Sequence, residues 1–358
     1  MRFRWHLPAT LTLTLAACSA EEPAPGPESE DRIFAAVEDD GALAVLDGES
    51  GELLRTTDLS LTAHGATVKV MAHNVQAAPD GRTVWLTAMP NMEGGAHGAD
   101  MPEELIGVDA ATYEVTSRIE LGTGLHAAHV VISGDTGFVT ANEADSVVVV
   151  DLAAKTVSRT ISLPDGTGPH GARLTPDGRV LVVAGMGDGS LVLVDVASGD
   201  VTRHDLPGRA VQTAVLPDGS AAFATVYDTR QVARIDLTTQ VVTLHELPPS
   251  SAGPAQLYPS PDSTFVWIAD QGLLDGDAAG NSLIAMDAET GEVHHVVTVD
   301  PGPHGVVLNA DGTKAWTTTI VNGTVQAIDT MTGSVLNTAS VGRNPNGISC
   351  VHEGGVMP

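Results

Sequence analysis

Seven polar residues stand just ahead of apolar runs at comparable places along the chain: His73, His129, His170, Gln212, Gln256, His304 and Asn346. Imidazole binds zinc, copper, iron and nickel, and no cysteine stands among them to favour soft thiolate chemistry. The set therefore reads as a collar for a metal or polar ligand. His73, His129, His170 and His304 would be the ligands, with Gln212, Gln256 and Asn346 as hydrogen-bonding members. The competing reading is that these side chains satisfy backbone groups or line a water-filled channel. A second cluster, Met89, Met92, His97 and Met101, gathers thioethers and an imidazole in one segment. Thioethers favour Cu(I), whereas methionine also fills gaps in apolar contacts. His64 and His126 add imidazoles near His73 and His129. Asp275 and Asp277 offer alternate oxygens to Ca²⁺, but without EF-hand spacing calcium ranks low. No GxSxG, HExxH, CxxC or P-loop occurs, nor a GxGxxG in a strand-to-helix setting. Glu143 and Asp188 are the carboxylates that could serve as a base beside these histidines.

The elements that must position these residues repeat. An apolar run ending in Asp, followed by a short polar turn, recurs at Asp47, Asp109, Asp151, Asp195, Asp236, Asp287 and Asp329. A second turn, of the PDG type, recurs at Asp80, Asp135, Asp177, Asp218, Asp262 and Asp311. Each unit reads as four short strands in about 42 residues, the pattern of a β-propeller blade. The predicted fold is all-β: a seven-bladed propeller over residues 32–358. Its first blade begins with a second strand at Arg32, and the missing first strand is supplied by residues 344–350, so ring closure removes exposed edges. The innermost strands of a propeller surround its axis, so the collar should converge on one channel. Blades two and six carry long second-to-third loops, residues 89–102 and 270–281, expected on the collar side. The methionine segment would then be an outer capture loop.

The first residues read as an address. Arg2 and Arg4 precede an apolar run ending at Ala17, too short to span a bilayer as a helix. Residues 15–18, Leu-Ala-Ala-Cys, resemble the bacterial lipobox, which implies a signal peptide over 1–17 and lipidation of Cys18. Residues 18–31 are acidic and Pro-rich, a disordered tether with little to bury. The expectation is export and lipid anchoring to the cell envelope, at the outer membrane in a Gram-negative cell. Lipidation of Cys18 leaves Cys350 as the remaining cysteine, so no internal disulfide is expected.

Units such as GPHGARLTPDGRVLVVAGMGDGSLVLVDVASGDV resemble the YVTN repeats of the YncE-like propeller family over residues 32–351, and the PHG turn with a Trp-containing strand at Trp316 is similar to virginiamycin B lyases. The resemblance implies the fold; relatives carry adhesive, ligand-binding and enzymatic roles. It brings haem d1 as a cofactor, ranked below copper or zinc, and a DNA role. Net charge argues against the latter: 17 Lys+Arg against 45 Asp+Glu give −28, and −30 once residues 1–17 are removed. Phosphate binding needs cationic side chains, so no nucleic-acid partner is expected. A negative field instead concentrates cations. The expected protein is a monomeric, lipid-anchored binding propeller that binds or delivers a transition metal, with a periplasmic or cell-surface protein as partner. The alternatives are a protein-interaction scaffold without metal and a propeller lyase or lactonase.

Overall fold

The computed structural model describes residues 31–63, 66–91 and 101–351. Cys18 and the tether up to residue 30, together with His64, Met92 and His97, lie outside the described residues. Seven antiparallel sheets follow one another along the chain, six of four strands and one of five. The only helices among the described residues are two single 3-10 turns. Blade one is assembled from both ends of the chain: Pro345–Val351 pairs with Arg32–Val37, which pairs with Ala42–Asp47 and then Leu53–Asp58. The closing register sets Arg32 against Val351, Ile33 against Cys350 and Phe34 against Ser349. Blade two gains a fifth strand, Leu61–Ala63, which folds back on the long inner strand Ala66–Ala77.

The other inner strands are Ala127–Ser133, Pro169–Leu174, Ala210–Val215, Pro254–Pro259 and Pro303–Leu308. Each touches the next around the ring, and Pro345–Val351 closes the circle between the last of them and Ala66–Ala77. Second and third strands are apolar on both faces because a blade is packed on both sides. Ser146–Asp151, with four consecutive valines, is buried up to its final Asp. Outer strands such as Thr156–Ser162 are largely exposed. The core lies between blades, in apolar layers that join neighbouring sheets.

The acidic residues build the turns. Asp47, Asp109, Asp195, Asp236 and Asp287 each accept two backbone N–H groups and a Ser or Thr hydroxyl from the turn that follows. These bonds hold Asp109 below the ordinary carboxylate value of 3.8. Asp80, Asp177, Asp218, Asp262 and Asp311 do the same in the PDG-type turns, each accepting the N–H two residues on.

Candidate functional site in the axial channel

Each inner strand carries a bulge, near its start in every blade but the second, where it lies within Ala66–Ala77. In all seven blades, two residues of the inner strand oppose one of the second strand. This register corrects the alignment by residue type. Asn346, His73, His170 and His304 occupy the first bulge position, whereas His129, Gln212 and Gln256 occupy the second. A collar of seven equivalent residues is therefore two adjacent tiers. The second position aims at the neighbouring blade: a Cβ on Gly171 would stand 2.6 Å from Gln212 Cα, and one on Gly347 would stand 2.7 Å from Asn74 Cα.

A threonine opposite the bulge joins neighbouring inner strands. Thr87, Thr140, Thr225 and Thr318 each accept the N–H of the second bulge residue in their own blade. Each also donates to the carbonyl of the first bulge residue in the next blade: Ala128, His170, Ala255 and Asn346. In blade four the equivalent residue is Ala184, and there His170 Nδ1 reaches the carbonyl of Val211 in the next blade at 2.8 Å. Acids at the collar end hold the loops leading into the inner strands. Glu103 accepts from the N–H groups of Leu125, His126 and Ala127, and Asp270 from those of Ala252 and Gly253.

His129 is committed to the protein. Gln212 Oε1 accepts from Thr213 N, so its Nε2 donates to His129 Nε2 at 2.8 Å. Arg173 Nη1 lies 3.1 Å from the same nitrogen. Burial, then the Arg173 charge, holds His129 well below its ordinary 6.5, so the ring is neutral.

His73, His170 and His304 form a separate group. The His73 ring is edge-on to both others, with centroids 5.5 Å from His170 and 6.2 Å from His304. His170 gives its Nδ1–H to Val211 O, and His304 gives its own to Gln271 Oε1 at 2.9 Å. Both therefore carry the lone pair on Nε2, and His304 Nε2 is buried with no partner among the described residues. His73 Nδ1 lies 3.4 Å from Glu38 Oε2 and 3.4 Å from Asn346 Nδ2. Burial lowers His170 to about 4 and holds His304 well below its ordinary value, so both imidazoles are neutral at neutral pH. Among the described residues no group of three or more His, Cys, Asp or Glu side chains stands ready to hold a metal ion.

The remaining candidates lie around this centre. Gln256 is buried in the second tier. His126 is at the rim, 3.8 Å from Glu143. Met89 and Met101, half-buried, are the described ends of the blade-two loop. Asp275 pairs with Arg209 and Asp277 accepts from the Tyr227 hydroxyl, so both carboxylates are already engaged. Asp188 is held by Arg203 and the Ser190 hydroxyl. Gln271, Glu38 and Arg173 were not singled out from sequence. Arg173 had a usable signal, a basic residue inside an inner-strand run that is otherwise nearly apolar.

No protein-family model and no curated protein matches this chain. Among solved structures, hydrazine synthase from Kuenenia stuttgartiensis is similar at 18% identity and TM-score 0.63, covering 77% of this chain and 88% of that one. A 6-phosphogluconolactonase-like protein from Bacteroides fragilis is similar at 13% identity and TM-score 0.68, covering 92% of this chain and all of the other. A counterpart from Bacteroides uniformis aligns at 13% identity and TM-score 0.64. At these identities the likeness shows the propeller fold alone.

Proposed function

We propose that this chain is an exported, lipid-anchored propeller of the YVTN-repeat, YncE-like kind, whose channel binds a transition-metal ion, copper or zinc, between His73, His170 and His304. The observation that carries this reading is the oxygen partner behind each ring. Metal-ligating histidines almost always donate the far N–H to a carbonyl, carboxylate or similar oxygen, which sets the tautomer and aims the lone pair. His170 and His304 have that arrangement with Val211 O and Gln271 Oε1, and Glu38 stands beside His73. Neutral imidazoles need lose no proton to bind. Metal entry requires the rings to turn toward one another, since no ready-made ligand group is present among the described residues. Met89, Met92, His97 and Met101 would present Cu(I) to the channel mouth. The lactonase reading draws on fold likeness at 13% identity, and its base candidate Asp188 is already held by Arg203.

Untagged protein carrying Cys18→Ser, titrated with Zn²⁺ and with Cu(I), is expected to bind one equivalent of metal. His170→Ala and His304→Ala should abolish binding, and Gln271→Leu should weaken it by about 10- to 100-fold. His126→Ala should leave it intact. Wild-type protein without stoichiometric metal, or binding unchanged in both alanine variants, refutes the reading. A haem-type absorbance after reconstitution would replace the bare ion with a tetrapyrrole.

A further inference from the structure

One buried charge among the described residues stands without a counter-charge. Arg32, Arg118, Arg203, Arg209, Arg234 and Arg343 each face a carboxylate. Arg173, at 7% exposure the most deeply buried guanidinium among the described residues, has no carboxylate beside it. This occurs in a chain where 45 acidic residues face 17 basic ones. A cation removed from water costs several kcal/mol unless it is paired. Burial brings Arg173 down to about 10, which leaves it charged at neutral pH.

The free edge of this group is specific. Arg173 Nη1 is used by Ala172 O at 2.9 Å and by the His129 ring. Nε and Nη2 have no acceptor among the described residues. That pair of donors is the fork that grips a carboxylate bidentately. Arg173 lines a cavity of about 330 Å³, together with Gln76, Val131, Ser133 and Asp177 among others. Asp177, the one carboxylate on that wall among the described residues, accepts from the Thr175 hydroxyl at 2.7 Å and from Arg179 N at 3.1 Å. Tyr258 holds the register position equivalent to Arg173 in blade six and interacts with it electrostatically. Its hydroxyl has no protein partner among the described residues.

We propose that Arg173 anchors a second site, at the turn end of the channel, which takes a small carboxylate anion. The Nε–Nη2 edge holds both carboxylate oxygens, and the Tyr258 hydroxyl is the further donor available across the channel. The negative field of the whole protein opposes anions at long range, so this site selects by short-range geometry. It is independent of any metal at the histidines.

The test is the unfolding temperature of the full-length protein in sodium acetate against sodium chloride at matched ionic strength, with calorimetric titration of acetate. The midpoint should rise with the logarithm of acetate concentration, titration should give one site, and inorganic phosphate should stabilise less than acetate. Arg173→Lys keeps the charge but loses the planar fork, and should bind acetate about tenfold or more weakly. Arg173→Met should lose the acetate response and, in chloride, unfold no lower than wild type, because an uncompensated buried charge is gone. Equal midpoints for wild type in acetate and chloride overturn the proposal. So do phosphate outperforming acetate, a folded Arg173→Lys with unchanged affinity, or an Arg173→Met that melts well below wild type in chloride. If Arg173→Met does not fold, the lysine variant decides.

Discussion

His170 and His304 show how burial sets the chemistry of a side chain that the sequence records only as histidine. Burial lowers His170 from 6.5 to about 4, with the neighbouring His73 adding to the effect. Between those values the unfolded chain takes up a proton that the folded ring refuses. The stability this ring contributes is complete above pH 6.5 and is lost as pH falls toward 4. The urea midpoint should therefore drop over that interval, and His170→Gln should flatten part of the drop, since glutamine can still donate to Val211 O but does not titrate. An unchanged slope would mean that the ring is solvated in the folded protein. The histidines themselves were legible in the sequence. Their partners were not: Gln271 comes from the start of the blade-six insertion and Glu38 from the first hairpin, and nothing local links either to a histidine far along the chain.

At the scale of the strand, the bulge decides which residues share a tier. Asp-ended third strands and PDG turns were readable because each is a local device, an acid bonding to N–H groups two or three residues on. The bulge is not local. A polar residue one place earlier or later aligns equally well by type, and only the pairing of Pro169 with Gly185 and Ala172 with Val183 shows that His170 and Gly171 together oppose the single residue Ala184. The threonine clamps follow from the same register. Thr318 accepts Gly305 N–H and donates to Asn346 O, both buried, so Thr318→Val leaves a donor and an acceptor without partners. It should destabilise by about 1–3 kcal/mol in urea unfolding, the cost of unsatisfied buried polar groups. A smaller loss would mean that water reaches the bulge.

On the scale of the whole molecule, closure is the main device. Pro345–Val351 pairs with Arg32–Val37 and touches the inner strands on both sides, so the last residues of the propeller hold its first blade. Ending the chain after residue 344 should expose the edge of Arg32–Val37 and open the ring. The expected outcome is aggregation or a large fall in unfolding temperature; an intact, monomeric product with the wild-type midpoint would contradict it. Seven blades, ring closure and the convergence of His73, His170 and His304 were all implied by the repeat, because a repeat encodes one local unit and a ring places equivalent positions around one axis. The acidity was visible as a total, and the structure assigns much of it to turn caps and loop anchors. What the linear pattern could not carry was pairing between residues distant in the chain: Gln212 and Arg173 occupying His129, an unpartnered nitrogen on His304, and a buried guanidinium without a carboxylate. Those depend on which strands become neighbours and by what offset, quantities set by packing around the axis and absent from any one repeat.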